Sequence, residues 1–442
     1  MPVRTGRDVG GTLIRGLGPF AAASLVAGNI IASGVYVIPA TLAEVAGPVS
    51  LVAWAINAAA FLCLAAVFAD LGGAYPVSGG PQSFVRLAFG DFAGLQTSYL
   101  YWLSCVTCNA ALVTGFVGYL TVFVPGAANP VASFLTAQAL LWALTLVNIL
   151  GVRAGGAVQS VTTVLKILPL LALIVPLLLR ASLSNMTPFA PHGYGAVFPA
   201  ISLVAWLFLG SESVTVPGEE VAGAGPAIRR SAYLGFGVAA VLYLLVAVSL
   251  TAGIPAGEIA GSPSPLAVAA SRVVGPAGET LVTIGALISI FGALNGWLLV
   301  TGRLPFAAAR DGFAPARLAR IHPRYATPAV SLAISSLIGS VLIGLYFNRT
   351  LLQAYNFIAL LSTATALIAI GAGCAAHLVL LRRDPDRFSQ NQRRRGPFVA
   401  VMGIAIALLM TAGTGWEIAL YAVLSMGVPA VYYFLRGRGG RA

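Results

Sequence analysis

The chain has 442 residues, of which 58% are apolar and only 9% charged, with a formal net charge of +12. So few charged groups cannot cover a globular surface, which excludes a soluble domain and leaves apolar faces for lipid. The positive charge does not point to nucleic acid, because it alternates loop by loop along the chain instead of forming one basic face.

A hydrocarbon core of roughly 30 Å takes about 20 apolar residues per helix, so runs without charge locate the crossings. No Asp, Glu, Lys or Arg occurs in 16–43, 45–69, 92–152, 231–257, 280–302, 325–348, 350–381, 397–416 or 418–435. The run 92–152 is too long for one crossing, and Pro125, Gly126, Asn129 and Pro130 divide it. With the segments interrupted by Arg153, Lys166, Arg180 and Glu212, the pattern predicts about twelve spans. They lie near 19–44, 49–70, 91–123, 131–150, 158–179, 195–216, 231–253, 276–304, 328–346, 352–380, 397–413 and 416–435. The first is not followed by a cleavage site of secretory type and is read as a retained helix.

With a cytoplasmic N-terminus, twenty-one arginines fall on inner segments and three, Arg180, Arg272 and Arg349, on outer ones. That asymmetry places both termini inside and agrees with an even number of spans. The basic stretches 382–387 and 393–395 offer contacts to anionic lipid, but their plain role is topological. Cys63, Cys105, Cys108 and Cys374 all fall within apolar spans and imply no disulfide framework. Cys105 and Cys108 form a CxxC without a second pair or nearby histidines, so they read as small packing residues and not as a zinc or redox site.

Two spans carry a polar, glycine-containing interruption. In span 1 it is Gly28-Asn29-Ile30-Ile31-Ala32-Ser33-Gly34, and in span 6 it is Leu209-Gly210-Ser211-Glu212-Ser213. Aligning Ser33 with Ser211 brings Pro39 onto Pro217, and each stretch then runs through an acidic residue to a proline, Glu44 to Pro48 and Glu220 to Pro226. Paired interruptions of this kind mark an inverted repeat with discontinuous helices at its centre. Backbone groups freed by a helix break cannot face lipid, where each costs several kcal/mol, so the break lines a protected cavity. One half-helix there offers N–H groups suited to a carboxylate and the other carbonyls suited to an ammonium, a combination that matches an α-amino acid. The alternative is that Gly28 and Gly34 only permit close helix packing and that Ser211 and Ser213 bond back to their own helix.

Four segments resemble the amino acid/polyamine/organocation permeases: Gly28 to Pro39; Tyr75-Pro76-Val77-Ser78-Gly79-Gly80; Gly218-Glu219-Glu220-Val221 to Pro226; and Ala309-Arg310-Asp311-Gly312-Phe313-Ala314-Pro315 with Thr327-Pro328. The resemblance implies an all-α membrane protein with a LeuT-like five-plus-five inverted repeat and discontinuous helices 1 and 6. The expected organisation is a cytoplasmic segment 1–18, a first repeat 19–180, a second repeat 195–380, two further spans in 397–435 and a cytoplasmic tail 436–442. Within that family the chain is most similar to bacterial arginine/agmatine antiporters, through Tyr101-Trp102-Leu103, Asn109, Trp206, Gly210 to Glu212 and Gly296-Trp297. By this resemblance Ser33 and Gly34 hold a substrate carboxylate, and carbonyls near Ile30, Trp206 and Leu209 hold its amino group. Asn109 faces a distal guanidinium, Trp206 and Trp297 stack on the ligand or close over it, and Tyr101 and Cys105 line the site. A homodimer is also implied. Gln82 and Phe84 stand where the family often has two tyrosines, which weakens any transfer of acid-sensing gating.

Lys166 and Glu212 are ionisable groups at membrane depth, a placement that costs roughly 3 kcal/mol on insertion scales and therefore points to a pairing or functional role. The arginine/agmatine antiporters lack the lysine, whereas proton-coupled and exchanger relatives have it, bridging the span 1 break to span 8. By that likeness Lys166 ties span 5 to the loose carbonyls of span 1, with Ser289 as a further contact, either as a titrating switch or as a static brace. Glu212 reads as a proton-linked gate or as a partner of backbone N–H groups.

The expectation is thus a secondary transporter of amino acids or amines in the inner membrane, of arginine/agmatine exchange type, with protons as a further partner and no cofactor. The alternative is proton symport or exchange of neutral amino acids. An uncompensated ammonium about 10 Å from a cationic ligand costs on the order of 1.7 kcal/mol at an effective dielectric of 20. A major facilitator carrier has the same span count but lacks paired breaks. No GxxxxGK[ST] motif, metal-ligand cluster or Ser/His/Asp arrangement stands out, so neither ATP hydrolysis nor enzyme chemistry is expected.

Overall fold

The computed structural model describes residues 18–77, 79–150, 155–216, 218, 221–325, 327–345 and 350–439. Ser78, Arg153, Pro217, Glu219, Glu220 and Arg349, which figured in the sequence reading, lie outside the described residues. Among them the regular structure is helical, joined by turns and short loops. Eleven segments are long and apolar enough to cross a membrane, and Ala329–Leu345, with 17 residues, reaches the lower limit for a crossing. Together they make twelve spans.

In chain order these are Pro19–Val45, Gly47–Ala74, Asp91–Leu120, Pro130–Leu150, Gly155–Leu179, Tyr194–Thr215, Ala224–Gly253, Pro276–Arg310, Ala329–Leu345, Leu351–Arg383, Gln390–Ala412 and Trp416–Leu435. Three ends depart most from the expected bounds, each where charge density misled; span 7 begins at Ala224, seven residues before 231. Span 8 continues six residues past 304 to Arg310, and span 11 begins at Gln390, seven residues before 397. Span 11 starts early because Ser389 and Gln392 form a reciprocal capping box, a signal that hydropathy does not carry. Span 12 is two helices, Trp416–Ser425 and Gly427–Gly439, meeting at Met426.

Span 1 is broken into half-helices Pro19–Ile30 (1a) and Gly34–Val45 (1b). Span 6 is a helix, Val197–Phe208, followed by a turn and a single 3-10 turn Ser213–Thr215. Packing repeats when span n is exchanged with span n + 5. Span 1 lies on 7 and 6 on 2; span 5 lies on 8 and 10 on 3; span 1 lies on 5 and 6 on 10; spans 4 and 9 pair with each other. The connections match too. A helix Pro81–Phe89 leads into span 3 and a helix Pro265–Val274 into span 8, each ending on a glycine that caps the next helix. Gly90 and Gly275 have φ of 87° and 90° with ψ of −173° and −166°, a backbone region open essentially to glycine alone. Spans 1, 2, 6 and 7 form one body and spans 3, 4, 8 and 9 another, with the two breaks between them.

Candidate functional site

The break in span 1 leaves the last carbonyls of half-helix 1a without intrahelical donors. Side chains from three other spans satisfy them. Lys166 Nζ of span 5 donates to Gly28 O at 2.8 Å and to Ile31 O at 3.0 Å. Ser289 of span 8 donates to Ile31 O at 3.3 Å, Trp297 of span 8 to Asn29 O at 3.3 Å, and Tyr243 of span 7 to Ile30 O at 2.6 Å. Lys166 is fully buried. Among the described residues no carboxylate pairs with it, so its charge is met by carbonyl dipoles alone.

The other half of each break is different. At the start of 1b the N–H groups of Ser33, Gly34 and Val35 have no acceptor among the described residues. At the end of the span 6 helix no donor among the described residues reaches the carbonyls of Trp206, Leu207, Phe208 or Leu209. Of these residues Gly34, Trp206, Leu207 and Leu209 border one small space, lined also by Asn29, Ile30, Ala32, Tyr101, Ser104, Cys108, Glu212, Trp297, Ser362 and Ala366. Its volume of about 20 Å³ holds one water-sized molecule, so an amino acid enters only when the surrounding side chains move. Gly34 and Gly210 allow the two breaks to meet. A Cβ on Gly34 would sit 2.7 Å from Leu207 Cγ, and Gly210 has φ +116° with Asn29 and Ile30 packed against it.

Glu212 closes one side. Its Oε1 accepts from the Tyr101 hydroxyl at 2.8 Å, and its Oε2 accepts from Gly210 N at 3.2 Å and the Ser211 hydroxyl at 3.4 Å. Both oxygens are thus occupied within the break. On the other side Tyr355 of span 10 shares a hydrogen bond with Ser33 at 2.8 Å and accepts from Trp206 Nε1 at 2.9 Å. Beyond this layer, Thr41 and Asn356 are hydrogen-bonded to each other, and Asn356 lines a vestibule of about 650 Å³ that also includes Glu44, Thr114, Ser133, Pro263 and Gln353. The opposite end is sealed. Gly79 N and Gly80 N donate to Val216 O and Thr215 O, Arg86 pairs with Asp91 and Asp311, and Arg383 donates to Leu87 O.

Ile30, Gly34, Tyr101, Trp206, Leu209, Glu212 and Trp297 therefore come together around the central space. Ser33 lies against Tyr355, and Cys105 is buried just outside, where Cys108 supplies the lining thiol. Asn109 is turned to span 8, its Nδ2 donating to Thr301 Oγ1 at 2.9 Å, with its Oδ1 buried and unpartnered among the described residues. Lys166 and Ser289 stand behind the break on Ile31 O.

Sequence reasoning passed over Tyr355, Tyr243 and the side chain of Asn29. A tyrosine inside an apolar span needs a partner for its hydroxyl, and that was the available signal. Asn29 lines the space with both side-chain polar atoms buried and unpartnered among the described residues.

The profile of the amino acid permease family matches residues 17–433. The chain belongs to the amino acid permease family. As such it is a multi-pass membrane protein, and its relatives are transporters. This permease is 26% identical to the branched-chain amino acid permease of Bacillus subtilis over 97% of its own length and 94% of that protein. It is 29% identical to the arginine/ornithine antiporter of Pseudomonas aeruginosa over 87% of its length and 83% of the relative. With the cadaverine/lysine antiporter of Escherichia coli K12 it shares 29% identity over 68% of each chain.

Proposed function

We propose that this permease exchanges amino acids and their amine products across the inner membrane by alternating access, with both termini cytoplasmic and the vestibule facing outward. One observation carries the reading. Gly34, from the run 33–35 whose N–H groups have no acceptor among the described residues, and Trp206, Leu207 and Leu209, whose carbonyls have no donor among them, border the same space, one set suited to an α-carboxylate and the other to an α-ammonium. The capped carbonyls of half-helix 1a sharpen the assignment: the ammonium goes to the span 6 carbonyls, while Ile30 O already serves Tyr243. The Ser33–Tyr355–Trp206 layer is the barrier between vestibule and site, and the ion-paired opposite end is the closed inner side.

Arginine- or lysine-type exchange against an amine is the first substrate reading, supported by the likeness to antiporters named for basic amino acids. A second reading, neutral amino acids, is favoured by Lys166, whose ammonium has no carboxylate partner among the described residues and repels a cationic ligand, and by the likeness over nearly the whole chain to a branched-chain permease. Uptake of labelled arginine, ornithine, agmatine, leucine and alanine into proteoliposomes, with and without internal substrate and a pH gradient, tests both. Stimulation by internal substrate is the expected result; absence of stimulation by every amine and amino acid refutes exchange.

A further inference from the structure

We propose that Arg395 and Gln392 of span 11 are positioning residues for transport, which latch the two bodies of the permease together at the sealed end. Their anchor is Asp70, near the end of span 2, whose carboxylate is fully buried. Arg395 Nη2 donates to Asp70 Oδ1 at 2.9 Å and to Oδ2 at 3.1 Å, and Gln392 Nε2 donates to Oδ1 at 2.6 Å. These two residues, three apart, share one face of the first turns of span 11. Gln392 is held there by the capping box, its Oε1 accepting from Ser389 N at 2.8 Å.

The same guanidinium reaches span 7, where Arg395 Nη1 donates to the Tyr233 hydroxyl at 3.0 Å, and Arg229 of span 7 brings its Nε to 4.0 Å from Asp70 Oδ1. Spans 2 and 7 are in backbone contact beside this cluster: a Cβ on Gly225 would collide with the Gly73 carbonyl. They belong to the body that carries the breaks. Span 11 belongs to neither repeat; it packs along span 2 and on span 10, against which Gly396 and Gly403 bring it too close for a side chain, at Leu381 and Cys374. Span 10 in turn packs along span 3 of the other body.

A buried carboxylate is costly unless paired, so the link is held tightly while the two bodies keep this relation. Through spans 11 and 10 it links spans 2 and 7 to span 3 of the other body, parts that alternating access requires to shift against each other. Arg395 and Gln392 thereby favour the conformation with the vestibule open and the opposite end shut, and the C-terminal spans set how readily the inner side opens. This inference rests on the alternating-access reading.

The test uses the full chain in proteoliposomes with the four native cysteines replaced and Thr215→Cys as a reporter within the seal. Labelling by an impermeant thiol reagent from the sealed side is followed with and without amino acid, beside the KM and maximal rate of exchange. Arg395→Gln is expected to raise the labelling rate at least about tenfold and to raise KM from the vestibule side, as a shifted two-state equilibrium requires. Gln392→Ala, which leaves the Asp70–Arg395 pair intact, is expected to move both readouts in the same direction by about two- to fivefold, and Arg395→Lys to restore part of the loss. Labelling and KM at parental values in Gln392→Ala together with parental labelling or loss of the folded protein in Arg395→Gln would make the cluster a structural strut and overturn the proposal. Labelling of the parent that no amino acid changes would instead defeat alternating access itself.

Discussion

Replacing Lys166 by Met removes the ammonium that joins span 5 to the break and keeps most of the side-chain volume. Two carbonyls are affected unequally. Gly28 O loses its donor, while Ile31 O keeps the Ser289 hydroxyl at 3.3 Å. A buried carbonyl left unpaired costs about 1–3 kcal/mol, whereas returning an isolated buried ammonium to water recovers several kcal/mol, so the single substitution alone is a balance of opposing terms. The pairwise term with Ser289→Ala has a definite sign. Each single variant leaves one donor on Ile31 O and the double variant leaves none, so the double is expected to be destabilised beyond the sum of the singles by about 1–3 kcal/mol. That exceeds the ~0.3–0.5 kcal/mol scatter of independent sites. Unfolding free energies in mixed micelles measure it, and exchange rates in proteoliposomes report the functional side, about tenfold for each 1.4 kcal/mol of lost productive geometry. Additivity of the two substitutions within about 0.5 kcal/mol would refute the shared role of Ile31 O.

Gly210→Ala forces a side chain onto φ +116° beside Asn29 and Ile30; a cost of about 1–3 kcal/mol in thermal stability and at least about a tenfold loss of exchange are expected. Unchanged transport would show that the span 6 break tolerates another geometry. Tyr355→Phe removes the hydroxyl shared by Ser33 and Trp206 Nε1, and thiol labelling of Cys108 from the vestibule side should quicken about tenfold; unaltered labelling would mean that this layer is not the barrier. At the sealed end, the Tyr75 hydroxyl donates to Asp384 and holds that carboxyl below its usual range, while burial and then Asp384 push the Tyr75 hydroxyl up to about 12. The depressed carboxylate contributes stability above its unfolded pKa that is lost as pH falls through the folded value, and the raised phenol contributes stability below about 10 that is lost as pH climbs through about 12. Tyr75→Phe should therefore lower stability by about 0.5–1 kcal/mol at neutral pH, a figure limited by solvent screening at this partly exposed pair, and the deficit should shrink below about pH 4. A deficit constant from pH 3 to pH 7 would contradict that assignment.

Much of this permease was legible in one dimension because lipid makes local composition decisive. Charges are costly in hydrocarbon and helices need about 20 residues to cross it, so uncharged length fixed the number of spans, and glycines with small polar residues in spans 1 and 6 marked where the helices stop. Lys166 stood out for the same reason, as a charge where none should be. What the sequence could not determine is which face each helix turns to its neighbours. That rotation decides that Cys108 and not Cys105 lines the central space, and that Asn109 reaches Thr301. It also brings Tyr243, Trp297 and Ser289 from distant spans to the carbonyls of one break. Asp70 and Arg395 are 325 residues apart in the chain and hydrogen-bonded in the fold. Hydropathy records how deep a residue sits in the membrane, but partners across helices depend on packing around the helix axis, which only the assembled bundle defines.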